Sequence, residues 1–186
     1  MPHDRNLQIE TERLILRPFQ AQDFDAWADF MADAEAARFI GGQQARPVAW
    51  RSFLAIAGAW EIQGFGMFSV IEKSGGRWLG RVGPWMPEGW PGTEVGWGII
   101  REAWGRGYAV EGATAAIDWA FANLGWHEVI HIIAPENQPS QRVAEKLGSR
   151  ALRDCKMPTP YDSVHVVAWG QSREEWLARR ATTLPR

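Results

Sequence analysis

A glycine-bearing turn near the middle of the chain has the residue types and spacing of a phosphate-binding loop. Gly105 and Gly107 stand within the segment WGRGYA (residues 104–109). An apolar, strand-like segment over residues 93–100 precedes the turn, and a helical pattern over residues 110–124 follows it. The first N–H groups of a helix point in one direction and carry partial positive charge, so they can hold an anion. The turn therefore predicts a site for a ligand that carries phosphate.

The residues around this turn separate the common kinds of phosphate ligand. A P-loop for nucleoside triphosphates needs a lysine followed by serine or threonine at the start of its helix, and this segment has neither. A dinucleotide fingerprint wants a third small residue where Val110 stands, and an acidic residue at the end of the next strand. Glu128 lies at a suitable distance but begins that strand. A nucleotide-dependent oxidoreductase is thus the least favoured interpretation, and nicotinamide binding would identify it.

The elements that must position this turn alternate between strands and helices. Periodicity predicts strands over residues 10–19, 67–71, 78–82, 93–100, 127–134, 150–156 and 163–169. It predicts helices over residues 24–31, 47–63, 110–124, 139–147 and 172–180. No internal repeat or long linker divides the chain. We therefore expect one α/β (α+β) domain over residues 1–186, built on a mixed sheet of about seven strands.

Residue spacing also assigns faces to three of these helices. Asp23 is placed to cap the first helix, which carries on one face Phe24, Trp27, Ala28 and Met31. The second helix carries on one face Trp50, Phe53, Leu54 and Ala57. In the helix after the turn, Glu111 is predicted to face away from the core.

Composition and charge exclude several classes of partner. The formal net charge of −2 comes from 20 basic and 22 acidic residues, so no strong field draws the chain to nucleic acid or an anionic membrane. The N-terminal residues lack the apolar core of a signal peptide, and no stretch approaches ~20 uninterrupted apolar residues. The single cysteine, Cys155, cannot form an intrachain disulfide. We expect a cytoplasmic protein that binds neither nucleic acid nor membrane.

Histidine and tryptophan positions bear on the site itself. Three histidines fall on predicted strands: His127, His131 and His165. They lack the spacing of metal ligands, so no metal is expected. Twelve tryptophans are many for 186 residues, and some should line a cleft that needs flat apolar walls. Those expected to face the acceptor are Trp85, Trp90 and Trp97.

Four motifs, in order, resemble those of the GCN5-related N-acetyltransferase family, in the branch that includes ribosomal-protein N-terminal acetyltransferases. They are ERLILRP (12–18), EVGW (94–97), WGRGYA (104–109) and N-x-x-S-x-x-V-A-x-K-L-G (137–148). The family's pyrophosphate loop is usually Gln/Arg-x-x-Gly-x-Gly/Ala, which falls on Trp104, Gly107 and Ala109. Trp104 departs from that pattern, but backbone amides rather than this side chain carry the phosphate contacts. The resemblance extends from about residue 9 to residue 176.

The resemblance implies a fold and a place for acetyl-coenzyme A. In such proteins the fourth and fifth strands splay apart, helices cover both faces of the sheet, and the pantetheine arm lies in the gap. On this chain the arm would follow Trp97, Gly98, Ile99, Ile100 and Arg101. The pyrophosphate would bind the N–H groups of Gly105, Arg106, Gly107, Tyr108 and Ala109, and Asn137 would hydrogen-bond the arm. Gly96 and Gly98 independently indicate a bulge or a close backbone approach in the fourth strand.

Acetyl transfer to an amine also needs a base, a donor to the oxyanion and a proton for the thiolate. An alkylammonium has a pKa near ~10, so a base must remove its proton at neutral pH. Glu94 is the first candidate because it stands on the strand that would hold the cofactor. A backbone N–H near Trp97 or Gly98 would bind the oxyanion. The family motif favours Ser140, beside the cofactor, as the acid, with Tyr161 second.

The expected function is therefore an N-acetyltransferase that moves acetyl from acetyl-coenzyme A directly to an amine, with no metal. The acceptor stays open between a protein N-terminus and a small-molecule amine, because fold analogy does not decide it. A different class of function is a catalytically idle acyl-coenzyme A binding or sensing module on the same fold. Dispensable Glu94 and Ser140 with tight cofactor binding would favour that module. A monomer or a homodimer is expected.

Overall fold

One mixed sheet of eight strands organises this protein, whose computed structural model describes residues 6–183. The strands are β1 (Ile9–Glu10), β2 (Leu14–Pro18), β3 (Phe68–Glu72), β4 (Trp78–Trp85), β5 (Glu94–Ile99), β6 (Glu128–Ile133), β7 (Arg150–Cys155) and β8 (Val166–Ser172). They lie in the order β1-β2-β3-β4-β5-β6-β8-β7. All neighbours run antiparallel except β5 and β6, which run parallel. The predicted α/β class with a mixed sheet is confirmed.

Six α-helices lie within the described residues. They are α1 (Phe24–Ala32), α2 (Ala34–Ala37), α3 (Arg46–Gln63), α4 (Tyr108–Asn123), α5 (Gln138–Leu147) and α6 (Arg173–Thr183). On one face of the sheet, α4 packs against the core through Ala113, Ala116, Ile117 and Ala120. On the other face, α1 and α3 contribute Trp27, Met31, Phe53 and Ile56. Helices thus cover both faces, as the resemblance implied.

The N-terminal segment forms two strands where the sequence predicted one over residues 10–19. A turn at residues 11–13 separates β1 from β2 and makes them an antiparallel hairpin. Thr11 stabilises this turn, because its Oγ1 accepts from the N–H of Leu14 at 3.0 Å and donates to Glu111 at 2.6 Å. The extra strand raises the count from about seven to eight.

The face that α3 buries differs from the prediction. Trp50 and Leu54 are 43% and 48% exposed. The buried row consists of Ala49, Phe53, Ile56, Ala59 and Trp60. Trp50 instead stacks on the ring of Phe53 at 5.9 Å and meets Phe24 of α1 edge-on at 4.6 Å. A helix with apolar residues on several sides can bury either row, and packing against α1 and the sheet selects this one.

Asp23 is the N-cap residue of α1, as predicted, but its side chain makes no capping hydrogen bond there. Its carboxylate oxygens each accept from a terminal nitrogen of Arg17 at 2.7 Å, and one also accepts from Ser69 Oγ at 2.8 Å. Both charged groups are buried. A buried arginine needs such a partner, and this requirement draws the Asp23 carboxylate away from the N–H groups of α1.

The strands β5 and β6 separate at the centre of the sheet. They pair at one register position, Glu94 opposite Ile130. The N–H of Ile130 also donates to the Thr93 carbonyl at 3.0 Å. Within the described residues no further register pair joins the two strands, so they splay as the resemblance implied. The gap exposes the backbone edge of β5 next to the turn that precedes α4.

Candidate active site

The predicted phosphate turn presents a row of backbone N–H groups at the start of α4. Gly105 and Gly107 have φ values of +74° and +83°, a left-handed conformation that glycine adopts without strain. Gly107 is the N-cap residue, and no side chain caps the helix there. Among the described residues, the N–H groups of residues 105–110 donate to no backbone carbonyl outside the helix. Their dipoles and the helix dipole favour an anion at this point.

Arg13, in the turn between β1 and β2, supports the phosphate turn, a role that the sequence did not predict. Its guanidinium donates to the Arg106 carbonyl at 3.0 Å and to Glu111 at 2.7 Å, and it lies 4.5 Å from the Tyr108 ring centroid. Burial opposes ionisation of Glu111, but hydrogen bonds from Thr11 and Arg13 outweigh it and hold the pKa of this carboxyl below its usual value. Glu111 is therefore half-buried and paired, not turned to solvent as predicted. Its charge is neutralised beside the turn.

The side chain of Trp104 accounts for its departure from the family pattern. Its Nε1–H donates to the Ile99 carbonyl at 2.7 Å. Ile99 ends β5, so the indole closes the strand onto the turn. Trp104 thus positions the backbone that would contact phosphate and leaves those contacts to the amides.

The backbone groups of β5 point alternately to β4 and to the gap. The N–H of Ile100 donates to the Leu79 carbonyl of β4 at 2.8 Å, so the even-numbered residues pair with β4. The N–H and carbonyl groups of the odd-numbered residues point toward the gap. The carbonyls that already accept hydrogen bonds there belong to Thr93, Val95 and Ile99. Trp97 has the same orientation, and no described hydrogen bond uses its N–H or carbonyl. These two groups are available to a ligand in the gap.

Glu94 lies at the point where β5 and β6 separate. Its Oε1 accepts from the N–H of Ile132 at 3.1 Å, and its Oε2 accepts from Trp90 Nε1 at 2.6 Å. The side chain takes the place of a lost ladder bond and is only 7% exposed. Burial raises the pKa of Glu94 to about 7, against the opposing effects of these two hydrogen bonds and of the Arg81 charge. The group can therefore gain or lose a proton near neutral pH.

His131 bridges the same separation from β6, and sequence reasoning considered it only as a metal ligand. Its Nδ1 lies 2.7 Å from the Val95 carbonyl, and its Nε2 lies 3.0 Å from Ser149 Oγ. Burial lowers the pKa of His131 to about 4, although the bond to Val95 opposes this. The ring is therefore neutral near pH 7, and we assign the proton to Nδ1 because a carbonyl can only accept. Ser149 in turn accepts from Gln171 Nε2 at 2.9 Å.

The structure brings three of the predicted site residues together on the side of α5. Trp97 Nε1 donates to Ser140 Oγ at 3.3 Å, and the Ser140 N–H donates to Asn137 Oδ1 at 3.2 Å. Asn137 thereby caps α5. The Trp97 ring also packs on His131, with a 4.7 Å centroid distance. The two predicted roles of Asn137, cap and ligand contact, are compatible because its Nδ2 has no described partner.

The remaining predicted residues lie outside this group. Tyr161 is 40% exposed, and its hydroxyl would lie 3.5 Å from a Cβ on Gly41. Arg101 Nε forms an exposed ion pair with Asp33 Oδ2 at 3.0 Å. Because side chains alternate along a strand, Glu94 and Trp97 lie on opposite faces of β5. Ser140 contacts Trp97 on one face, whereas Tyr161 affects the pKa of Arg81, which shares the other face with Glu94.

The rest of the described chain adds no other obvious site. A cavity of about 570 Å³ beside Thr11, Asp118 and Trp119 includes none of the predicted catalytic residues. Within residues 6–183, no group of three or more His, Cys, Asp or Glu side chains could hold a metal ion. Over the same range, no helix is long and apolar enough to span a bilayer.

Comparison with solved structures identifies acetyltransferases. One from Agrobacterium tumefaciens is 30% identical, with a TM-score of 0.79, over 89% of this chain and 94% of that one. A ribosomal-protein-S5-alanine acetyltransferase from Vibrio fischeri is 18% identical, with a TM-score of 0.71, over 92% and 99% of the two chains. RimJ of Mycobacterium smegmatis, solved with CoA-disulfide, is 20% identical, with a TM-score of 0.67, over 87% and 83%. The last two show the shared fold.

Comparison with curated protein sequences gave no significant match. A family model described as the acetyltransferase (GNAT) domain matches residues 13–150, which is most of the chain. The predicted resemblance is confirmed, and the chain belongs to the GNAT acetyltransferase family.

Proposed function

We propose that this protein transfers the acetyl group of acetyl-coenzyme A directly to an amine, with both substrates bound at once. One arrangement carries the proposal: β5 begins at the buried Glu94 carboxyl, whose pKa burial raises to about 7, and leads at its other end into a turn with unbonded N–H groups. The turn suits a pyrophosphate, and the carboxyl suits the proton that an ammonium must lose. These are the two ends of an acetyl transfer from a coenzyme A thioester.

The donor would lie along the gap between β5 and β6. The N–H groups of residues 105–109 would bind the pyrophosphate. The Trp97 carbonyl faces the gap and would accept from the pantetheine arm, while Asn137 Nδ2 would reach the arm from α5. The N–H of Gly98 points to β4 instead, so of the two predicted oxyanion donors we favour Trp97.

Glu94 would act as the general base. An alkylammonium has a pKa near ~10, about three units above that of Glu94, so only a small fraction of the substrate passes its first proton to Glu94 at any moment, and Glu94 releases that proton to solvent. The neutral amine nitrogen then attacks the thioester carbonyl carbon. The tetrahedral intermediate loses a second proton from nitrogen to Glu94, and its collapse breaks the C–S bond. Each turnover thus yields an amide and a thiolate, and of the two protons lost by nitrogen one is returned to the thiolate and one goes to solvent.

Ser140 is the favoured acid for the thiolate, with Tyr161 second. Ser140 Oγ accepts from Trp97 Nε1, which leaves its own hydrogen free to donate toward the gap. Tyr161 lies on the other face, away from Trp97. Ser140→Ala should therefore lower kcat about tenfold, whereas Tyr161→Phe should leave it within about twofold. The reverse ranking would assign the acid to Tyr161.

A thiol-release assay with acetyl-coenzyme A tests the proposal. The panel should contain small amines, amino acids and short peptides with free N-termini, and acetylated products should be identified by mass. Turnover that depends on an amine supports an N-acetyltransferase. Tight acetyl-coenzyme A binding without turnover on any amine would instead support the binding or sensing module.

A further inference from the structure

Arg81 of β4 carries the one buried side-chain polar atom without a hydrogen-bond partner among the described residues. That atom is its Nε. No hydrogen bond or ion pair within 4.0 Å is recorded for its guanidinium either. The side chain is half-buried as a whole, with Nε fully enclosed. By contrast, Arg17, which is buried, donates twice to Asp23 at 2.7 Å. A buried donor without an acceptor costs about 1–3 kcal/mol, more when it is charged. The Arg81 guanidinium is therefore a candidate to bind a ligand that supplies the acceptor.

The register of the sheet places Arg81 on the same face as Glu94. Trp85 lies opposite Glu94, and Arg81 lies opposite Gly98. Residues paired across antiparallel strands point to the same face, and so do residues two or four apart on one strand. Arg81 and Glu94 therefore share the face that is opposite to Trp97. Between Glu94 and Gly98, β5 presents only Gly96 on this face, so no large β5 side chain separates the two charges.

Arg81 is surrounded by apolar side chains and by three polar groups: Glu94, Tyr161 and Ser69, its cross-strand neighbour on β3. Its Cγ would lie 3.7 Å from a Cβ on Gly98, and the same Cβ would lie 3.1 Å from Phe30 and 3.6 Å from Ile40. Burial lowers the pKa of Arg81, whereas the carboxylate of Glu94 and the phenol of Tyr161, when ionised, raise it. Glu94 in turn has Arg81 as the one cation that affects its pKa. Arg17 and Asp23 lie farther along the same face but bond to each other, so Glu94 is the carboxylate that acts on Arg81.

We propose that Arg81 binds a carboxylate of the acceptor, so that the substrate is a small amine that also carries a carboxylate. The inference rests on the proposed function, because it places the amine at Glu94 and the anionic group at Arg81. Glu94 cannot satisfy Arg81 throughout turnover, since it becomes neutral when it takes the ammonium proton. A single guanidinium matches the single charge of a carboxylate, which it can bind through two parallel N–H bonds.

The decisive comparison pairs each free amino acid with its own C-terminal amide as the acceptor. The wild-type protein should acetylate the acid with a kcat/KM at least about tenfold higher than that of the amide. The amine of the amide loses its proton more easily, so intrinsic reactivity favours the amide and cannot produce this preference. Short peptides, whose carboxylate lies farther from the amine, should behave like the amides.

Variants of Arg81 assign the preference to this residue. Arg81→Gln should lower kcat/KM for the acid about 10- to 100-fold and leave the amide within about threefold, so that the preference disappears. Arg81→Lys should restore part of the preference for the acid, because lysine carries the positive charge but lacks the two parallel N–H donors of a guanidinium. Arg77→Gln, in the exposed turn between β3 and β4, should match the wild type. Unchanged acetyl-coenzyme A affinity shows that each variant is folded.

The possible failures are distinguishable. A wild-type protein that acetylates no amine overturns the proposed function. One that acetylates the amide as fast as the acid leaves the function standing and overturns only the assignment of Arg81. Equal losses on acid and amide in Arg81→Gln would also overturn it, because a purely structural arginine would affect both acceptors alike.

Discussion

The donor end of the candidate site, which would bind acetyl-coenzyme A, uses backbone groups, whereas the acceptor end, which would bind the amine, uses side chains. At the proposed donor end, the contacts would come from the backbone of one short segment, residues 104–109, at the start of α4. At the proposed acceptor end, they would come from the side chains of Glu94, which is buried, and Arg81, which is half-buried, on two different strands. A backbone site needs only a conformation, which two glycines provide. A site made of side chains from two strands depends on the pairing register of those strands, so it forms only when the sheet forms.

Charge is also handled differently at the two ends. The donor turn depends on amide dipoles, and its nearest carboxylate, Glu111, is paired with Arg13 at 2.6 Å. Where β5 and β6 separate, burial favours the neutral form of two groups. It raises the pKa of Glu94 to about 7 and lowers the pKa of His131 to about 4. Substitutions at the donor end should therefore change cofactor affinity, whereas those at the separation should change pH dependence.

The largest effect on activity should come from Glu94→Gln. We expect kcat/KM for the amine to fall by about 10²- to 10³-fold, equivalent to about 3–4 kcal/mol, because no base takes the ammonium proton. The wild-type rate should rise as pH increases toward 7, since the carboxylate is the active form, and this limb should vanish in the variant. Initial rates from pH 5.5 to 9 measure both.

The control for this substitution is Glu88→Gln in the exposed loop before β5. It should keep the wild-type rate and pH profile, and neither variant should change acetyl-coenzyme A affinity more than about twofold. If the rate of Glu94→Gln still rose as pH increased toward 7, another group would be the base. The acceptor end would then not depend on the titration of Glu94.

His131→Phe should have the largest effect on stability. It leaves the Val95 carbonyl and Ser149 without their partner, at a cost of about 2–3 kcal/mol in the free energy of unfolding. His131→Asn should recover about half, because the Asn amide can replace Nδ1 as a donor. Urea unfolding at pH 7.5 checks this ranking. Equal losses in the two variants would mean that ring packing on Trp97, and not the hydrogen bond, stabilises the separation.

His131 and Glu94 should affect the free energy of unfolding with opposite dependence on pH. For His131, whose folded pKa is lowered from 6.5 to about 4, the stabilisation is present above pH 6.5 and lost as pH falls through 4. For Glu94, whose folded pKa is raised from 4.5 to about 7, it is present below pH 4.5 and lost as pH rises through 7. Between pH 4.5 and 6.5 the slopes oppose each other. Stability should therefore fall with pH in His131→Phe and rise with pH in Glu94→Gln.

The two ends also differ in how far the sequence predicts them. The order of elements, the strand before the turn and the helix after it follow from periodicity, and the splay follows from the family resemblance. The side-chain contacts do not follow, because their partners are far apart in the chain: His131 is 36 residues from Val95, and Thr11 is 100 residues from Glu111. Arg81 left one signal, a lone charge within the apolar segment WLGRV. Only the register connects that charge to Glu94.

A smaller effect is expected at the donor end from Gly107→Ala. An alanine at φ +83° costs about 1 kcal/mol, and the strain should distort the N–H groups that face the phosphate. The Kd of acetyl-coenzyme A should therefore rise about five- to tenfold by calorimetry, with an unchanged pH profile. Gly58→Ala, inside α3 with no atom within 4 Å of the added Cβ, is the control and should leave the Kd as it is. A shifted pH limb in Gly107→Ala would show that the two ends are coupled.

The smallest effect, and the sharpest test of the contrast, should come from Trp90→Phe. This change removes the N–H that donates to Glu94 Oε2 at 2.6 Å but keeps an aromatic ring in place. A hydrogen bond to the ionised form stabilises it, so its loss should raise the pKa of Glu94 further. A loss of about 0.7 kcal/mol would move the acidic limb of kcat/KM up by roughly half a pH unit, with little change in the plateau rate.

Trp85→Phe separates this bond from the general effect of burial. Trp85 packs edge-on against Trp90 at 6.5 Å but donates no recorded bond to Glu94. If the specific donor sets the pKa, only Trp90→Phe moves the limb. If both variants instead move it downward, desolvation by the tryptophan pair is the cause, since the water that a smaller ring admits favours the carboxylate and lowers the pKa of Glu94. In both cases acetyl-coenzyme A affinity should stay constant, because we expect the donor to be bound by backbone N–H groups of the turn that follows β5, away from Trp85 and Trp90.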